Sequence, residues 1–175
     1  GSHSAAALVD VARELGLRAP PFYDAAADRF VTAAELAAAT TVTTPSDDPA
    51  AFYGCIVAAR AAYVSVAAIA ALAERAMREA AADAPDGAEL RLSLFSMART
   101  LIEHARRPWR EVPPAEFAAA YAEPILAAVI AARARVVAAT GVPLLLRLGL
   151  SRTFESAPRY QALATMVKGH ARALC

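Results

Sequence analysis

From Pro49 to about Ala84 the chain runs through apolar and small residues with no internal proline, and between Pro49 and Ala73 its only charge is Arg60. That pattern predicts one long helix, roughly 50 Å at about 1.5 Å per residue. A helix apolar on nearly every face must be enclosed by protein or lipid. Ala50 to Ala73 is long enough to cross a bilayer. Its alanine content and its central arginine disfavour insertion, so no membrane span is expected. The prediction is a single-domain, all-α helix bundle built around this largely buried central helix. Residues 4–45 would form short N-terminal helices and residues 49–175 the bundle core.

The flanking segments carry their own punctuation. Ser4 to Leu15 suits a short amphipathic helix with Leu8, Val11, Ala12 and Leu15 on one face, ended by Gly16. Ala19-Pro20-Pro21 breaks the chain, and a weaker helical piece is expected through Arg29. Thr32-Ala33-Ala34-Glu35 is a capping box that starts a helix to about Ala39. Asp48 and Pro49 would open the long helix, and Ala84-Pro85-Asp86-Gly87 would close it. A fourth helix is predicted to about Arg107, burying Leu90, Leu94, Met97, Leu101 and Ala105. A fifth spans Pro114 to Thr140, with Pro124 expected to kink it, and Gly141-Val142-Pro143 ends it. Pro158 opens a last helix to about Leu174. No segment reads as a strand of useful length. Short connections between long helices imply antiparallel neighbours.

Composition changes this picture little. The chain has 175 residues, more than a quarter of them alanine, with Lys168 the only lysine against seventeen arginines. Gly1-Ser2-His3 reads as the remnant of an affinity tag, leaving His104 and His170 as the native histidines. Cys55 and Cys175 are too few for a disulfide framework or a zinc site. With no signal segment visible, a cytoplasmic setting is expected. Residues 1–48 carry three arginines against seven acids, and residues 133–175 carry seven bases against Glu155 alone. This asymmetry reads as an internal attraction or a solvated face rather than a nucleic-acid surface. Residues 32–44 have the outline of the first helix and turn of a helix-turn-helix unit. The acidic Asp47-Asp48 that follows would repel phosphates, so DNA is not an expected partner.

The chemistry-bearing residues are sparse. Arg60 must find a partner if its helix is buried. With Phe52, Tyr53 and Tyr63 it would line an apolar pocket with one charged anchor, as small-molecule sites often do. A second cluster holds Arg99, Glu103 and His104. Arg99–Glu103 and Glu103–Arg107 have i,i+4 ion-pair spacing, and adjacent Glu103 and His104 point about 100° apart. Glu116 and Glu123 share a helix face, but neither native histidine stands three residues after a glutamate, which excludes a ferritin-like di-metal motif. The basic-aromatic run Arg106-Arg107-Pro108-Trp109-Arg110 sits where arginines complement a helix C-terminus. The expected role is therefore a non-catalytic domain binding a small apolar or anionic ligand or a protein partner, with homo-oligomerisation open. The alternative is a small helical enzyme, or a haem or metal protein, using His104 with nearby carboxylates. The cofactor, if any, is unknown from the sequence.

Overall fold

A computed structural model describes residues 3–40, 60–149 and 157–174. The chain is mostly helical, with two small two-stranded sheets. It divides into two compact units, Ser2–Tyr63 and Val64–Cys175, which are described in turn.

In the first unit, α1 (Ala5–Glu14) starts where Ser4 accepts a hydrogen bond from the Ala7 N–H at 3.1 Å. It ends as expected at Gly16, whose φ of +63° is costly for a residue with a side chain. The helical piece expected before Arg29 is instead a tight hairpin, β1 (Tyr23–Asp24) paired antiparallel with β2 (Arg29–Phe30). Asp24 explains the difference. Its carboxylate accepts from the backbone N–H groups of Ala26 and Ala27 at 3.0 and 3.1 Å, turning the chain locally instead of letting a helix run on. Tyr23 and Phe30 then meet edge to face at 5.1 Å.

The capping box forms as its spacing demands, opening α2 (Ala33–Thr40). The Glu35 N–H donates to Thr32 Oγ1 at 3.2 Å, and the Thr32 N–H donates to Glu35 Oε2 at 2.7 Å. Arg29 adds a two-pronged contact to the same carboxylate at 2.5 and 2.9 Å. Val11, Phe22 and Leu36 fill the core of this unit.

The long helix from Pro49 is not continuous. Residues 49–59 lie outside the described residues, but beyond Arg60 the backbone turns and leaves helical geometry. Ser65 is extended, with φ −155° and ψ 164°, and caps a new helix by accepting from the Ala68 N–H at 3.1 Å. The serine that apolar periodicity passed over is a helix start. This α3 (Val66–Asp83) opens the second unit.

The predicted fourth helix is also shorter at its start. Ala88–Leu92 is a strand, β3, and helix α4 runs Leu94–His104. Leu90 is therefore on the strand, and the helix buries Phe95, Ala98 and Ile102 beside Leu94 and Met97, leaving Ala105 exposed. Leu144–Leu148 forms β4, parallel to β3 in the register Ala88↔Leu144 through Leu92↔Leu148. The absence of strands expected from the sequence is thus overturned twice. Gly87 starts β3 with φ +138°, and a Cβ there would lie 3.2 Å from the Pro143 carbonyl oxygen. The outer edge of β4 receives the chain's end: the Leu146 N–H donates to Leu174 O at 3.1 Å. The last helix, α6 (Ala157–Lys168), stops before that tail, which closes in a 3-10 turn at Ala171–Ala173.

Helix α5 (Pro114–Thr140) ends at Gly141 as expected. Pro124 has no N–H for the carbonyl four residues earlier, and its ring crowds that carbonyl. The chain answers with a π-helical stretch at Phe117–Ala122, where the Glu123 N–H reaches back five residues to Ala118 O. By length and composition α5 is the one described helix that could cross a membrane. Its large side chains Ile125, Leu126, Val129 and Val136 are nevertheless fully buried, and Ala127, Ala131, Ala134 and Arg135 face outward. The helix thus has one buried and one exposed face, with 39% of its most apolar stretch buried. It packs on α3, whose Ile69, Leu72 and Met77 are without appreciable exposure. Glu74 of α3 ties the pair together, accepting from Arg78 at 2.8 Å and from Arg135 of α5 at 2.7 Å.

Arg29, and then Thr32, hold the Glu35 carboxyl well below the usual carboxylate value of 4.5. A depressed value means this contribution is complete above pH 4.5 and is lost as pH falls through the lower, folded value. Acid should therefore lower the protection of residues 33–40 against amide exchange, measured relative to the intrinsic rate at each pH, and Glu35→Gln should remove that pH dependence. Thr32→Ala should cost about 1 kcal/mol. Exchange at 33–40 unaltered by either substitution would contradict this account of the cap.

Candidate functional site

Parallel pairing has a geometric consequence: both strands end on the same side. The carboxyl ends of β3 and β4 lie together, joined where the Gly149 N–H donates to Leu92 O at 2.7 Å. Helix α4 starts from that point. Its first-turn residues Leu94 and Phe95, with Leu148 and Gly149 past the end of β4, form one side of a cavity of about 210 Å³. The other side is a stripe along α6, where Tyr160, Leu163, Ala164 and Val167 fall at i, i+3, i+4 and i+7. Leu163 is buried at the base, and Ala164 is exposed at the mouth.

An aromatic cluster backs this cavity. Phe95 stacks on Tyr160 at 4.8 Å and 23°, lies 5.1 Å from Phe117, and meets Trp109 edge-on at 5.4 Å. Phe117 belongs to the π-helical stretch of α5, so the widened turn places a ring against the cavity wall. Trp109 is the chain's only tryptophan and is buried. The guanidinium carbons of Arg99, Arg110 and Arg159 stand 5.3, 4.9 and 5.2 Å from its ring centre, within cation–π range.

Arg159 is the one buried charged residue among the described residues, 8% exposed. Its Nη2 donates to the carbonyls of Arg110 and Val112 at 2.7 and 2.6 Å, and its Nε is buried without a hydrogen-bond partner. These bonds fasten the start of α6 to the connection between α4 and α5, and so hold Tyr160 against Phe95. The fork of a guanidinium suits two neighbouring carbonyls as a single ammonium would not.

The residues singled out from the sequence sit elsewhere. Phe52 and Tyr53 lie outside the described residues. Arg60 is half-buried rather than enclosed. Tyr63 is buried, 9% exposed, with its hydroxyl 2.9 Å from Nε2 of His3 in the segment read as a tag remnant. Burial pushes the Tyr63 phenol up, and the charge of Arg60 opposes that shift.

Arg99 and Glu103 form the expected i,i+4 ion pair at 2.7 Å on an exposed face. Arg107 bonds to Glu116 and Tyr121, and holds the Glu116 carboxyl below its usual value. His104 is exposed on the last turn of α4. His170 lies 3.5 Å from Glu123. Among the described residues, no three His, Cys, Asp or Glu side chains come together as a metal site would require. None of the described residues named from the sequence as ligand-binding lines the cavity. The signal that was available is the spacing of Tyr160, Leu163, Ala164 and Val167, with an arginine immediately before it.

No protein-family model matches the chain, and no curated protein is similar to it in sequence.

Removing Arg159 strands two carbonyls. Arg159→Ala should lower stability by at least about 2 kcal/mol, and Arg60→Ala, at a half-buried position, by less. Equal denaturant midpoints for wild type and Arg159→Ala would refute the fastening role. For Tyr63, the raised phenol value means its contribution is complete below the ordinary value of 10.0 and is lost as pH rises through the higher, folded value. Tyr63→Phe should therefore blunt the alkaline loss of stability, and ultraviolet titration should show one late-ionising tyrosine fewer in the variant, with Tyr23, raised by its hydrogen bond to Asp28, remaining.

Proposed function

We propose that this chain is a non-catalytic helical domain, a bundle by the pattern of its sequence, that binds a small molecule in the cavity between α4, α6 and the end of β4. The observation that carries this reading is the cavity itself: about 210 Å³, lined among the described residues by six apolar side chains, a tyrosine and a glycine. Small-molecule sites are commonly concave and mostly apolar, with a few polar groups, and this cleft, open on the side of Gly149 and Ala164, is of that kind. The position adds support, because the crevice beyond the carboxyl ends of parallel strands is where open α/β sheets bind their ligands. Two strands are far fewer than in those folds, so the parallel is one of geometry and not of kinship.

Trp109 supplies the test, since it contacts Phe95 on the cavity wall. Titration with toluene, 1-octanol and benzoate should give a saturable change in tryptophan emission with at least one of them, together with a higher thermal midpoint. At a hundredfold excess over Kd the stabilisation is about 2.7 kcal/mol. Ala164→Phe should block the response, because Ala164 is exposed at the mouth. No saturable response to any of the three would count against a ligand-binding cavity.

A further inference from the structure

The β3–β4 sheet has two edges, and only one of them is covered. In the parallel ladder the Ala88 N–H donates to Pro143 O and the Gly149 N–H to Leu92 O, so Ala88, Leu90 and Leu92 turn their backbone groups toward β4. Glu89 and Arg91, which alternate with them, turn theirs outward. On the β4 side, outward groups are engaged: the Leu146 N–H donates to Leu174 O, and Arg133 Nε donates to Leu144 O. On the β3 side, nothing among the described residues bonds to the outward N–H and C=O groups of Glu89 and Arg91. Both residues are exposed.

We propose that this open edge of β3 pairs with the same edge of a second copy of the chain, the two strands antiparallel about a two-fold axis at Leu90. An unpaired edge is a template for one more strand. Charge selects the occupant and the register. Charged side chains blunt an edge when like charges fall opposite each other. Here the two charges are unlike and stand two positions apart. Centred on Leu90, antiparallel pairing sets Glu89 of each chain opposite Arg91 of the other, and cross-strand pairs of opposite charge are stabilising. Centred on Glu89 or on Arg91, it would set like charges opposite.

The same register makes Glu89 and Arg91 the hydrogen-bonded positions. Each opposed pair exchanges both of its N–H···O bonds, so the outward groups of both residues find partners. Within one chain the Glu89 carboxylate already lies 2.9 Å from Arg147 and 3.6 Å from Arg91. Pairing adds the partner's Arg91 to that group. Because the chain's tail lies on the β4 side, the joined sheet closes at two chains instead of growing.

Sedimentation of the intact chain from micromolar to millimolar concentration tests this. The mass should rise toward that of two chains. Glu89→Arg and Arg91→Glu each set like charges opposite one another in the dimer, so each should raise the dissociation constant by about tenfold or more. Mixed together, the two variants should associate with each other, since every opposed pair is again unlike. Arg91→Pro should abolish the dimer, because it removes an outward N–H and leaves the β3–β4 ladder intact. Thermal midpoints of the variants separate lost pairing from lost folding, and the mixture decides the matter if Arg91→Pro does not fold. A single-chain mass at every concentration would overturn the proposal. So would a dimer that both charge variants leave unchanged, or charge variants that stay apart when mixed.

Discussion

The parallel register of β3 and β4 is the constraint on which the second unit turns. Antiparallel strands can be joined by a two-residue turn, but parallel strands need a crossover long enough to return to the same end. Here the crossover is α4, the Trp109 turn and α5 together. Once the register Ala88↔Leu144 is set, α4 must leave from the end at which β4 stops. The cavity is the space left there between the first turn of α4 and the side of α6.

The packing that supports this crossover uses small residues and a few large ones. Alanines at 68, 73, 81, 122 and 132 are buried along α3 and α5, as are Ile69, Leu72 and Met77 of the one helix and Ile125, Leu126 and Val129 of the other. Each such large side chain contributes on the order of 2–5 kcal/mol relative to alanine. Glu74 adds a polar tie across the same seam, its carboxyl held below its usual value by Arg78 first and Arg135 second. The pair is partly solvated, so it sets alignment more than it adds stability.

Arg159 does the opposite kind of work. A buried guanidinium is costly, and here the compensation is two carbonyls and an indole ring rather than a carboxylate. The carbonyls it binds belong to the turn before Pro113, where Pro113 and Pro114 supply no N–H groups. The arginine thus satisfies a connection that its own backbone leaves open, and the same bonds set the wall of the cavity. Pro124 and the π-helical stretch before it solve a second backbone problem on the neighbouring helix, and that solution places Phe117 in the aromatic cluster.

Local chemistry was legible in the sequence by itself. Gly16 and Gly141 end their helices, Thr32 and Glu35 cap α2, Pro114 opens α5, and Arg99 pairs with Glu103, because each depends on residues within about four positions. The break at Ser65 was legible in principle, since a serine before an apolar run is a cap, but apolar periodicity hid it. The hairpin at Tyr23–Phe30 turned on one aspartate competing for backbone N–H groups. Tertiary structure alone decided the rest. Ala-Glu-Leu-Arg-Leu and Leu-Leu-Leu-Arg-Leu have no strand identity until each finds the other across the whole crossover. Arg159 looked like one more charge in a basic tail until packing enclosed it. Arg60 looked enclosed while its helix was read as continuous, and the break beside it leaves it half-buried. The physical reason is common to all of these: caps and terminators are set by short-range hydrogen bonding, whereas strand pairing, burial and cavities are set by contacts between residues far apart in the chain.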